Sequence, residues 1–201
     1  MIGVGDVLAV RTTGWFARLI NVGAALRGRP AMNSHIVISH HRDSTGQWWG
    51  LEGKPGGVGW VTLDRYLSSP YTVNNCGQLR TDRQRYDVAV AAEALLKTPY
   101  DWVGIARDGL EAIGAPQLWS NDWHGQGPPG HVVCSSYAAW LYLHVGLDAP
   151  VGQRSVTPAD WTDFSLSHRY DIQETPCSLP PTQPPSSTPD VVRRIQHGRR
   201  F

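Results

Sequence analysis

Short apolar stretches separated by turn residues fill the first half of the chain, and longer runs with helical spacing fill the second. Residues 7–11 (VLAVR), after the turn residues Gly5 and Asp6, predict a strand. Trp15, Leu19, Val22 and Leu26 recur at helical intervals and predict a helix over 13–26, closed by Gly28 and Pro30. Residues 34–40 (SHIVISH) alternate as a half-buried strand does, with His35, Val37 and Ser39 on one face and Ile36 and Ile38 on the other. Residues 47–52 predict the next strand and KPGGVG a turn; 62–67 predict a short helix and 71–76 another strand.

Thr81-Asp82-Arg83-Gln84 matches a capping box, and Val88, Ala91, Ala92 and Leu95 give the helix it opens a buried face as far as Lys97. A further helix is expected over 101–113, then an irregular loop over 118–130 (LWSNDWHGQGPPG). Residues 133–145 form an apolar helix pattern, with Cys134, Tyr137, Ala138, Leu141 and Val145 along one stripe. A short helix over 157–164 and a strand over 168–174 complete a mixed α+β order, with antiparallel strands first and the longer helices after them. From 176 to 189 the chain turns rich in Pro, Ser, Thr and Gln, which suits neither helix nor central strand. It ends in VVRRIQHGRRF. The expected organisation is one working domain over 1–175 and a disordered linker and basic tail over 176–201. That tail reads as solvated, with an anionic surface or a protein as the alternative contact.

Composition narrows the function. At 201 residues the chain fits one domain, and 18 basic against 17 acidic residues leave a net charge of +1. That balance excludes a uniformly basic nucleic-acid binder. No apolar run approaches the ~20 residues of a membrane span. The N-terminal residues carry no secretory-signal pattern, so a cytoplasmic, lysis-released or phage-associated protein is expected, and a monomer. Three cysteines, Cys76, Cys134 and Cys177, are too few for a disulfide scaffold, and the odd number leaves a thiol over.

Cys134 is the informative one. It falls in the first turn of its helix, straight after a Gly/Pro loop, where unpaired N–H groups and the helix dipole favour thiolate. Its plain alternative is a buried structural cysteine. A nucleophilic thiol needs a base, and His35 lies inside a strand that holds it rigidly; it too has a plain reading as a core or surface histidine. Glu52, at the end of the apolar strand WWGL, is the candidate to orient the imidazole if the two strands pair, and otherwise a turn residue.

Read in order, Gly5-Asp6-Val7, Ser34-His35, Glu52-Gly53, Gly57-Val58 with Leu63 to Leu67, Pro99-Tyr100-Asp101 and Cys134-Ser135 give the chain a family likeness. It resembles the circularly permuted branch of the NlpC-type papain-like cysteine hydrolases, a group that includes cell-wall amidases and endopeptidases and lecithin:retinol acyltransferase. The resemblance implies a permuted papain-like α+β fold, with an antiparallel sheet packed on helices and the nucleophile at a helix N-terminus. It implies Cys134 as nucleophile, His35 as base and Glu52 as the third member, acting through a thioester without metal or organic cofactor. A peptidoglycan stem peptide or related amide is the substrate it implies first, and a lipid ester or thioester second. One departure is plain: the branch often has Cys-Ser-Glu-Leu, where this chain has Cys134-Ser135-Ser136-Tyr137.

Trp119, Trp123 and His124 in the loop before Cys134 are expected to wall a substrate cleft, with Ser135 beside the nucleophile. Tyr100 and Asp101 read as packing and capping. Two rivals stand against the hydrolase. A zinc site from His124, His131 and Cys134 lacks the paired ligands such sites show. A binding module with the same fold is the stronger rival, favoured by a buried Cys134 or a distant His35.

Overall fold

The computed structural model describes residues 2–26, 32–70, 72–74, 79, 81–103, 105, 130–150 and 156–167. The strands are β1 (Val7–Val10), β2 (His35–Arg42), β3 (Trp48–Lys54), β4 (Gly57–Thr62) and β5 (Val73–Asn74). The helices are α1 (Trp15–Leu26), α2 (Asp64–Leu67), α3 (Asp82–Ala94), α4 (Cys134–His144) and α5 (Pro158–Ser167). Every strand pairing is antiparallel, in the order β4-β3-β2-β1-β5, with four longer strands and the two-residue β5 at one edge. The protein is α+β, an antiparallel sheet packed against helices, as the order of apolar patterns predicts.

Alternation along the strands sorts the core. Val7, Ala9, Ile36, Ile38, Leu51 and Val58 face the side that α3 and α4 cover, where Val88, Ala91, Ala92, Tyr137, Ala138 and Leu141 meet them. Leu8, Val10, Val37, Val61, Leu63 and Tyr66 form a smaller cluster on the other side. α4 is buried nearly all round, so its polar tips need partners: Tyr137 donates its hydroxyl to the Ala92 carbonyl at 3.0 Å and Tyr142 to the Gly5 carbonyl at 2.8 Å. The capping box at Thr81 forms as expected, with the Gln84 N–H donating to Thr81 Oγ1 at 3.1 Å.

One element departs from expectation. KPGGVG is not a turn throughout: its last three residues begin β4. Glycines argue against a strand on propensity, but Gly57 has φ +101°, and a Cβ there would sit 2.7 Å from the Thr98 carbonyl oxygen. Its bare backbone admits the segment after α3, which bonds Val58 in both directions (Val58 N–H to Thr98 O at 3.0 Å, Lys97 N–H to Val58 O at 2.9 Å). The edge of the sheet is thereby covered at that point. Most of the expected 101–113 helix, the 168–174 strand and the 176–201 tail lie outside the described residues. Among the described residues no helix is long and apolar enough to cross a membrane.

Candidate active site

β2 and β3 pair with Val37 opposite Glu52, which puts His35 and Glu52 on one face as diagonal neighbours. The strand start carrying His35 is anchored from three directions. The Ser34 N–H donates to the Val10 carbonyl at 3.0 Å, the Thr12 N–H to Ser34 Oγ at 3.1 Å, and Asn33 Nδ2 to Thr162 Oγ1 of α5 at 3.2 Å. From that fixed position His35 Nε2 donates to Glu52 Oε2 at 2.9 Å, which leaves Nδ1 for another partner.

Glu52 is a buried carboxylate with both oxygens engaged. Oε2 accepts from His35 and, at 3.1 Å, from the Tyr66 hydroxyl; Oε1 accepts from Lys54 Nζ at 3.1 Å and lies 3.7 Å from the Arg65 guanidinium. Burial alone would raise its pKa, but the hydrogen bonds and charges of His35 and Lys54 outweigh burial and hold it down at about 2. Tyr66 is pushed up to about 12, first by burial and then by the Glu52 charge beside it, so it remains a donor.

Cys134 occupies the first turn of α4, after Val133 in extended conformation (φ −101°, ψ 158°). The first intrahelical bond runs from the Tyr137 N–H to the Val133 carbonyl at 2.9 Å, and Ser136 Oγ takes the Val133 N–H at 3.2 Å. The N–H groups of Cys134, Ser135 and Ser136 thus have no intrahelical acceptor, the usual donor set of a helix start. The run into the helix is positioned by Tyr100, which bridges Val132 in parallel, with the Val132 N–H bonded to Pro99 O and the Asp101 N–H to Val132 O.

The thiol and the imidazole meet. Burial works to lower the His35 pKa, yet the charge and hydrogen bonding of Cys134, and then of Glu52, carry it up to about 9. Tyr100 feels the same thiol: burial first, and then the Cys134 charge, raise its hydroxyl's pKa. Cys134, His35 and Glu52 are therefore brought together, in the order thiol, imidazole, carboxylate. Chemically, such a row can hold a thiolate beside an imidazolium.

Other expected residues fare differently. Ser135 is buried, and its hydroxyl donates to the Val156 carbonyl at 2.6 Å, while its own carbonyl accepts Trp161 Nε1 at 3.0 Å. Its side chain is engaged towards α5, and only its N–H is left for a substrate. Trp119, Trp123 and His124 lie outside the described residues.

Tyr66, Arg65 and Lys54 have no sequence signal of their own and gain significance only once the sheet brings them round Glu52. Tyr100 stands out in sequence within Pro99-Tyr100-Asp101, where it reads as packing. A cavity of about 380 Å³ opens beside the pair, lined among others by Arg11, His35, Glu52, Gly53, Lys54 and Arg65. Gly53 joins it to Cys134, because a Cβ there would stand 3.4 Å from Cys134 Cα. No family model matches the chain, and no curated protein matches it in sequence.

Proposed function

We propose that the protein is a cysteine hydrolase of the circularly permuted NlpC-type papain-like class, with Cys134 as nucleophile, His35 as base and Glu52 as orienting carboxylate. The observation that carries this reading is the His35 imidazole, bonded to Glu52 Oε2 at 2.9 Å and raised in pKa by the charge and hydrogen bonding of Cys134. The thiolate attacks an amide or ester carbonyl. The oxyanion is taken by N–H groups of the first turn of α4, where a single donor of this kind is worth about 3–4 kcal/mol. The His35 imidazolium protonates the leaving amine or alcohol, and water, deprotonated by the same imidazole, then cleaves the thioester. A peptidoglycan stem peptide or related amide is the substrate class favoured, with an acyl ester or thioester as the alternative.

A second reading has its own observation. Cys134 is only 2% exposed, the burial expected of a binding module that keeps the fold. Alkylation separates the two. Native protein is treated with iodoacetamide from pH 4 to 9, and Cys76, Cys134 and Cys177 are followed separately by mass spectrometry. An activated pair gives Cys134 reactivity well below the pH at which an ordinary thiol of pKa about 8.5 responds, lost in His35→Ala. Muropeptides and acyl esters are then screened. Reactivity of Cys134 no faster than that of Cys177, or unchanged in His35→Ala, rejects the nucleophile and leaves the binding module.

A further inference from the structure

Consecutive residues of a strand point to opposite faces, yet His40 and His41 of β2 aim their rings at one another. The cause is a break in register between β2 and β3. Ser39 stands opposite Gly50 and His41 opposite Trp49, so His40 is an extra residue that β3 does not match. A bulge of this kind re-aims a side chain. The two rings meet edge to face with centroids 5.2 Å apart, and Nδ1 of one lies 3.0 Å from Nδ1 of the other. Trp60 of β4 packs against both, at 4.8 and 5.5 Å between centroids.

Two imidazole nitrogens this close share either a proton or a metal ion. The other nitrogen of His40 bears on the choice. Nε2 is buried, makes no hydrogen bond and faces Glu93 Oε2 of α3 at 3.9 Å. A carboxylate there favours the ring proton on Nε2, which leaves Nδ1 with a bare lone pair. His41 is exposed, so water satisfies a proton on its own Nε2 and its Nδ1 is bare in the same way. Two lone pairs then face each other, an arrangement that a cation between them relieves. With metal–nitrogen bonds of about 2.0–2.1 Å, a separation of 3.0 Å subtends roughly 90–95° at the ion. That is the angle between neighbouring ligands in a square-planar or tetragonal site, the preference of Cu(II) and Ni(II), and it is narrower than a tetrahedral zinc site requires.

We propose that His40 and His41 form a binding site for a divalent ion of the copper and nickel class, walled by Trp60 and open to solvent on the His41 side. Glu93 stands behind it and holds the ring proton of His40, as carboxylates do behind metal-ligating histidines. Among the described residues no group of three His, Cys, Asp or Glu side chains is arranged for a metal ion, so water fills the remaining positions. His35 opens β2 and the pair lies towards its other end, roughly 17–20 Å along the strand. The site is thus separate from Cys134, His35 and Glu52 and does not rest on the hydrolase reading.

Nickel chloride is titrated into the full, untagged chain above the ordinary imidazole pKa of about 6.5, by calorimetry and by NMR. The expected result is paramagnetic broadening of residues 39–42 and of the Trp60 indole N–H. Binding should weaken about tenfold or more in His41→Gln and in His40→Gln, since loss of a supporting group alone costs about that much. It should persist in Cys134→Ala, where the other histidine–cysteine pair is gone. The His41 side chain is exposed, so its replacement keeps the fold, and a native spectrum confirms it. In Cys134→Ala, Cu(II) should give the electron paramagnetic resonance spectrum of an ion with two nitrogen ligands, reduced to one when His41→Gln is added. Affinity unchanged in His41→Gln, or broadening confined to other histidines, overturns the site. Absence of binding with a slowly exchanging Nδ1–H between the two rings overturns it as well, and makes the contact a hydrogen bond.

Discussion

Gly53 of β3 lies against the backbone of Cys134, so that a Cβ at this position would stand 3.4 Å from Cys134 Cα and 3.5 Å from its nitrogen. Those are ordinary contact distances, and an alanine fits without displacing the helix. Its methyl would nonetheless fill the space beside the Cys134 N–H, where the oxyanion of the proposed reaction forms. Gly53→Ala should therefore fold with wild-type stability or slightly better, since glycine in a strand costs roughly 0.5–1 kcal/mol. Its kcat on the muropeptide or ester that wild type cleaves should fall about a hundredfold, as for loss of one oxyanion donor. An unchanged kcat would place the oxyanion elsewhere.

His35 titrates high because the charge and hydrogen bonding of Cys134 and Glu52 outweigh its burial. In Cys134→Ala the larger of them is gone and Glu52 alone remains, so the imidazole pKa should drop from about 9 towards its ordinary 6.5. In Glu52→Gln the other partner is lost, and the value should fall by a smaller step. Imidazole ¹⁵N titrations of the three proteins test the order. A His35 pKa that ignores Cys134 would mean that the thiol does not share its charge with the ring.

The same pair shapes stability against pH. Glu52 titrates at about 2 in the folded protein and near 4.5 when unfolded, so between those values the unfolded chain binds the extra proton and stability climbs with pH. His35 titrates at about 9 folded and near 6.5 unfolded, so between these values the folded protein holds the extra proton and stability declines as pH rises. Urea unfolding should show a plateau between about pH 4.5 and 6.5 with a fall on either side. Glu52→Gln should flatten the acid side in particular; an acid limb that survives in it would have to come from other carboxylates.

How much of this was legible beforehand varies with the kind of residue. The strand at His35 announces itself by alternation, and the helix at Cys134 by its apolar stripe and by the turn residues before it. Neither pattern alone sets their meeting, which the resemblance leads one to expect. The His35–Glu52 pairing depends on register, with Val37 opposite Glu52, which no local sequence signal sets. β4 was hidden because its glycines read as turn residues, and only the approach of Thr98 to Gly57 explains why they serve a strand. The cationic lining was hidden for a similar reason: Arg11, Lys54 and Arg65 come from separate elements and are unremarkable singly.

Ser135 and Ser136 look interchangeable in sequence, yet the fold gives them different tasks. Ser135 is buried and its hydroxyl satisfies the Val156 carbonyl at 2.6 Å, tying the start of α4 to the segment that leads into α5. Removing that hydroxyl leaves a buried carbonyl without its donor, a loss of about 1–3 kcal/mol. Ser136 is only partly buried and its hydroxyl takes the Val133 N–H at 3.2 Å, a helix-start bond worth roughly 1 kcal/mol. Ser135→Ala should thus be the more destabilised of the two by urea unfolding. Neither change touches the imidazole or the N–H groups of the first turn, so the pH profile of Cys134 alkylation should stay that of wild type in Ser135→Ala. A profile displaced in Ser135→Ala, with stability little altered, would instead place that hydroxyl among the groups that tune the thiol.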